Sequence, residues 1–198
     1  MEKRLKSLKT KKHIIQAAES CIAANGFDSS GIAEVCKKAG VSKGAFYHHF
    51  ESKEALIIEL LNQWMKKLDR YLNIADKNSR DALDFFYNIE RISTPVFSEA
   101  GEQLSVFLEI WIKSIRDEKL RGKTIDSYHK YLQFFSKKIK ESIKKNDIKN
   151  INPDVASRMI IALIVGMLMQ RLLDPGIFDL RKVSKECLSM IFEGVGKK

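Results

Sequence analysis

Ile32-Ala33-Glu34-Val35-Cys36-Lys37-Lys38-Ala39-Gly40-Val41-Ser42-Lys43-Gly44-Ala45-Phe46-Tyr47-His48-His49-Phe50 is the stretch on which the reading of this chain turns. Ile32, Val35 and Ala39 recur at the three-four spacing of one helical face. Ser30 is the expected cap of that helix, and Glu34 suits its amino-terminal half. Gly40 breaks the chain, Ser42 caps a second short helix, and Ala45 and Phe46 are its inward residues. Two short helices joined by Ala39-Gly40-Val41 cross steeply and need a third to cover their apolar sides. The preceding segment supplies it. Ile14, Ala18, Cys21 and Ile22 form one stripe, with Thr10 the expected cap and Gly26 the stop.

This packing leaves the start of the third helix facing outward, with Ser42, Lys43, Gly44, Ala45, Tyr47 and His48. A DNA major groove admits one helix, whose first turn can aim side chains at base edges and main-chain N–H groups at phosphate. Gly44 and Ala45 permit close approach, Lys43 can reach a base or a phosphate, and the Tyr47 hydroxyl can hydrogen-bond a phosphate. The expected element is a helix-turn-helix.

Downstream, Ser52 caps a long fourth helix with Leu56, Ile57, Leu60, Leu61, Trp64, Leu68, Tyr71 and Leu72 on one stripe. Further helices are expected over 79–93, 101–117, 119–146, 153–173 and 179–194. Pro95, the Asn146–Pro153 stretch and Asp174-Pro175-Gly176 mark the breaks. With only 3 prolines and 10 glycines and no period-two segment, the chain is expected to be all-α, with about nine helices. The expected division is a head over 1–52 and a helical body over 53–198.

The formal charge of +10 invites a nucleic-acid reading. Residues 1–52 carry nine basic and five acidic residues, and 118–150 carry ten and four, so only the first surplus adjoins the candidate reading helix. The second, with Lys137, Lys138, Lys140, Lys144 and Lys145, reads as a solvated face. Lys3, Arg4, Lys6, Lys9, Lys11 and Lys12 form an arm that can track phosphate or reach the minor groove. Cys21, Cys36 and Cys187 lack metal-site spacing, and Cys21 and Cys36 read as small hydrophobes in a reducing cytosol. No constellation of His13, His48, His49 or His129 suggests catalysis, a metal or a cofactor, so an enzyme is not expected. The apolar run from Met159 to Met169 is too short to span a bilayer and no signal segment is seen. A cytoplasmic protein with no membrane partner is expected.

At Thr10-Lys11-Lys12-His13-Ile14-Ile15-Gln16-Ala17-Ala18, Gly26-Phe27, Ala39-Gly40-Val41-Ser42-Lys43-Gly44, Phe46-Tyr47-His48-His49-Phe50 and Ser52-Lys53-Glu54-Ala55-Leu56, the sequence resembles the tetracycline-repressor-like (TetR) family of bacterial regulators. The match runs without a gap from Thr10 to Leu56. The resemblance implies that Ser30 contacts phosphate at the second helix, that Ser42, Lys43, Gly44, Ala45, Tyr47 and His48 form the recognition set, and that Lys53 contacts phosphate at the start of the fourth helix. Val35-Cys36 and Ile22 depart from the usual core residues, and Ala33 stands where many members place an Arg that reaches DNA. The body resembles the family's ligand-binding and dimerisation domain more loosely.

The eighth helix is apolar almost all round, through Val155, Met159, Ile160, Leu163, Ile164, Val165, Met167, Leu168 and Leu172, so both of its sides need cover. It is either the centre of a monomeric bundle or, with the ninth helix, half of a four-helix dimer interface. The interface set would be Leu163, Gly166, Met167, Gln170, Leu188 and Ile191. Twelve of the eighteen aromatics lie between Trp64 and Phe135, which leaves room for a cavity lined by Trp64, Phe107, Trp111 and Tyr128, with Glu109 or Gln170 as polar groups. Glu109 is either an i, i+4 partner of Lys113 or a buried carboxylate selecting a cationic ligand.

These readings combine into a homodimeric repressor that binds a palindromic operator in duplex DNA and is released by a small-molecule effector. The alternative is a ligand-independent architectural DNA-binding protein.

Overall fold

The computed structural model describes residues 2–88, 103–174, 176 and 178–195. Among them are nine helices and no strand: α1 Glu2–Asn25, α2 Ile32–Ala39, α3 Lys43–His49, α4 Lys53–Lys77, α5 Ala82–Tyr87, α6 Gln103–Ser114, α7 Glu118–Lys144, α8 Pro153–Leu173 and α9 Leu180–Val195. The all-α expectation holds. Pro95, Phe97 and the end of the helix expected over 79–93 lie outside the described residues.

Several helix ends follow directly from short-range chemistry. Gly26 closes α1 at φ +80°, its N–H donating to the Ile22 carbonyl at 2.8 Å. Gly40 ends α2 in the left-handed region, and Val41 N–H returns to the Cys36 carbonyl at 3.0 Å. Asn152 caps α8 by accepting from Asp154 and Val155, with Pro153 in the first turn. Two expected caps are corrected. Helix α1 does not begin at Thr10 but at Glu2, because the Lys- and Leu-rich run before Thr10 is itself a good helix former. Thr10 lies inside the helix and donates to the Lys6 carbonyl at 3.0 Å. Helix α2 is preceded by Gly31, with no side-chain cap.

The chain packs as two units: Met1–Lys66 with Ala100–Thr124, and Lys67–Glu99 with Ile125–Lys198. In the first, α1 packs on α2 and α6. Ile14, Ala18, Cys21, Ile22, Val35, Phe46, Leu56, Leu60, Val106 and Ile110 form one buried cluster. The head expected over 1–52 therefore shares its core with the start of α4 and with α6.

The second unit is built on aromatic contacts. Phe86 lies 4.7 Å from Phe192, and Phe85 lies 5.6 Å from Phe134, centroid to centroid. Tyr131 donates to Asp69 at 2.9 Å, and Lys130 pairs with the same carboxylate. Lys138 is the exception to the solvated basic face: its side chain is 12% exposed and it pairs with Asp76. Helix α8, at 21 residues, is long and apolar enough to cross a bilayer by length and composition alone, a property that core helices of soluble proteins share. It packs against α9.

Candidate nucleic-acid interface

Phe46 anchors this surface by being wholly buried. Its ring meets Tyr47 edge-on at 5.4 Å and lies 5.8 Å from Phe50. Successive helical residues turn by about 100°, so an inward Phe46 sends its neighbours outward. Lys43, Gly44, Tyr47 and His48 are exposed, and Ala45 is half-buried. The Ser42 side chain caps α3 by accepting from Ala45 N–H at 3.1 Å. A Cβ at Gly44 would meet nothing closer than Ser42 Oγ at 3.8 Å. Packing within the chain therefore does not demand glycine here, and its lack of a side chain lowers the surface where α3 begins.

Ser42, Lys43, Gly44, Tyr47 and His48 are thus presented together. Two expected phosphate contacts are not. Ser30 is 1% exposed and donates to the Gly26 carbonyl at 2.7 Å. A buried hydroxyl spent on the main chain does not reach a phosphate. The Lys53 ammonium turns inward, donates to the Phe27 carbonyl and lies 4.5 Å from the centre of the Phe27 ring. Burial lowers its pKa, and the nearby Lys113 charge adds to the effect.

Lys53 is one part of a grip on the α1–α2 turn. Phe27 N–H donates to Glu109 Oε1 on α6. Lys113, one turn further along α6, lies 3.9 Å from the centre of the Phe27 ring and pairs with Asp28. The hydrogen bond from Lys113 holds the Asp28 carboxyl below its ordinary range. The φ of +80° at position 26 calls for glycine, and a Cβ there would also crowd Glu109 Oε1 at 3.2 Å. Both expectations for Glu109 are corrected. It serves the turn amide instead of a ligand, and Lys113 pairs with Asp28.

The remaining expected residues divide by unit. In the first, Trp64 stacks on Phe107 at 5.2 Å, and Phe107 stacks on Trp111 at 6.0 Å. A cavity of about 10 Å³ beside them is lined by Glu19, Leu60, Leu61, Trp64, Val106, Phe107 and Ile110, room for about one water. Trp64 Nε1 is buried without a hydrogen-bond partner. In the second unit, Tyr128 accepts from Arg158 at 3.1 Å, and Gln170 is exposed. Leu163, Gly166 and Ile191 are half-buried. Met167 and Leu188 are only 6% and 4% exposed, so these two fill the unit's own core, a correction to their expected place at an interface. Among the described residues, the large exposed apolar side chains of α8 and α9 are Val155, Met159, Met169, Leu172, Leu173 and Met190.

A model of the bacterial regulatory proteins of the tetR family matches residues 14–60, from the first core residue of α1 into α4. UidR of Escherichia coli K12, an HTH-type transcriptional regulator, is 26% identical over 164 residues, 80% of each chain. The chain belongs to the tetR family.

As a tetR-family member it is a DNA-binding transcriptional regulator, and α2 and α3 are its helix-turn-helix. The likeness of fold extends over nearly the whole chain. A transcriptional regulator from Saccharomonospora viridis in complex with choline superposes with a TM-score of 0.82 at 22% identity, over 95% of this chain and 98% of that one. FadR from Bacillus subtilis in complex with stearoyl-CoA gives 0.78 at 22% identity, over 93% and 98%. Sequence reasoning missed the grip on the turn of this tetR-family head. Glu109 and Lys113 stand at i, i+4 and so share a face, but nothing local names Phe27 and Asp28 as their partners.

Proposed function

We propose that this tetR-family regulator is a cytoplasmic homodimeric repressor that occupies a two-fold symmetric operator and is released by a small-molecule effector. The observation that carries the reading is the uncovered apolar face of α8 and α9, where Val155, Met159 and Met190 are 58%, 49% and 69% exposed. A face of that kind on a soluble regulator calls for a second copy. Space around Gly166, where a Cβ would meet nothing within 4 Å, supports close helix approach. Two linked heads then gain effective concentration on a two-fold site. Lys43, Tyr47 and His48 provide the reading surface, and the exposed Arg4, Lys6, Lys9 and Lys12 of α1 add phosphate contacts.

The unpartnered Trp64 Nε1 supports an effector carrying a hydrogen-bond acceptor beside an apolar body. Release requires that effector to favour the state that binds DNA poorly. The second reading is a ligand-independent architectural DNA-binding protein, which would need no cavity larger than the one at Trp64.

The test selects duplexes from a random pool with the full chain, then measures their affinity and the molecular weight of the protein. Stearoyl-CoA and choline, the ligands of the two structural neighbours, are the first probes for loss of binding, followed by a library of apolar acids and cations. A palindromic consensus bound by a dimer supports the repressor. Binding without sequence preference supports the architectural protein, and a monomer at micromolar concentration sinks the dimer.

A further inference from the structure

Two faces of one helix do different things in the first unit. Phe107 and Trp111 on α6 continue the ring stack that starts at Trp64. Glu109 and Lys113, on the same helix, hold Phe27 and Asp28. Residues two apart on a helix are about 200° apart around its axis, so the pairs 107/111 and 109/113 lie on nearly opposite sides. The turn they hold connects α1 to α2. Its geometry is pinned at both main-chain groups of Phe27, the N–H by Glu109 and the carbonyl by Lys53, while two ammonium groups lie against the Phe27 ring. Within the head, Asn25 donates to Glu34 at 2.7 Å, tying the end of α1 to α2.

From this arrangement we propose that Glu109 and Lys113 are positioning residues for DNA binding: a latch by which α6 sets the angle at which α2 and the recognition helix α3 leave α1. The proposal rests on the reading of α3 as the DNA-contacting helix. Neither side chain needs to touch DNA. Glu109 acts through the Phe27 amide, and Lys113 acts through the Phe27 ring and the Asp28 carboxylate. A charged acceptor on a main-chain N–H is stronger than a neutral one, and the turn is short, so loss of the carboxylate frees the link between α1 and α2 directly. Because α6 carries the aromatic stack on its other side, a shift or rotation of this one helix changes ring packing and latch together.

The test uses the full chain with Glu109→Ala, Glu109→Gln and Lys113→Ala. Amide hydrogen exchange is followed residue by residue, and affinity is measured for a duplex selected by the wild-type chain and for a random duplex. Glu109→Ala is expected to speed exchange at Phe27 and through α2 and α3, leave α8 and α9 as in wild type, and weaken binding to the selected duplex about tenfold. Glu109→Gln, which keeps an acceptor for the Phe27 N–H, is expected to recover most of that loss. A merely structural role would not be rescued selectively in this way. Lys113→Ala keeps the proposal testable should Glu109→Ala fail to fold; its expected effect is smaller and in the same direction. Wild-type affinity in both Glu109→Ala and Lys113→Ala overturns the latch, as does faster exchange spread evenly over both units. A wild-type chain that binds no duplex sinks the DNA-binding reading underneath, an outcome distinct from wild-type binding with indifferent variants.

Discussion

Trp64 and Phe107 stack with ring centroids 5.2 Å apart and planes 18° from parallel, joining α4 to α6 beside a cavity of about 10 Å³. Phe107→Ala removes one ring of this stack, and the expected destabilisation is about 3 kcal/mol, read by denaturant unfolding. Trp64→Phe preserves a ring and deletes the buried unpartnered N–H, so loss of packing and relief of the donor offset each other to within about 1 kcal/mol. A loss as large as that of Phe107→Ala would mean that Trp64 Nε1 has a partner after all.

The recognition helix separates two kinds of contact. Tyr47→Phe should weaken binding to selected and random duplexes by the same factor, since a hydroxyl on phosphate carries no base information. Lys43→Ala should either change preference at one base position or lower the salt dependence by about one ion. Competition between variant duplexes across a salt series distinguishes the outcomes. No change in either property removes Lys43 from the contact set.

At Lys53 the structure reverses the expectation drawn from the resemblance. Its ammonium is held by the Phe27 carbonyl and ring, so Lys53→Met should weaken DNA binding by loosening the turn. The salt dependence should change by less than about one ion. A full one-ion reduction with undisturbed exchange at Phe27 would restore the direct phosphate contact.

The Asp28–Lys113 pair makes a prediction in acid. The Asp28 carboxyl is held below its ordinary range in the folded chain. The unfolded chain therefore binds its proton first as pH falls, and the pair's contribution is present above about pH 4 and lost through the folded-state pKa below that. Asp28→Asn should leave a flatter stability profile than wild type below about pH 4. Identical profiles would show that the pair is fully screened in solution.

Dimerisation is best probed where folding tolerates the change. Met159 is 49% exposed, so Met159→Glu should fold, sediment as a monomer and lose specific binding. Leu163→Glu and Gly166→Leu should do the same or aggregate. An intact dimer of Met159→Glu would move the interface elsewhere.

The helix-turn-helix could be read without coordinates because its signals are local. Gly40 and Ser42 stop and start helices within a few residues of each other, and the spacing of Val35, Ala39 and Phe46 declares the inward face before any partner is known. The all-α class follows from the same kind of signal repeated along the chain. The start of α1 was less legible, since Thr10 looks like a cap while the residues before it favour helix more strongly. Tertiary structure alone decided the fates of Ser30, Lys53, Glu109, Met167 and Leu188. A polar or long side chain can satisfy itself on any suitable group within reach, and the groups available depend on which distant segment packs there. Phe27 stands 82 residues from Glu109, and no spacing rule spans that gap. Local sequence determined which residues are helical and which face is apolar. Only packing determined whether a given charge faces DNA or holds a turn.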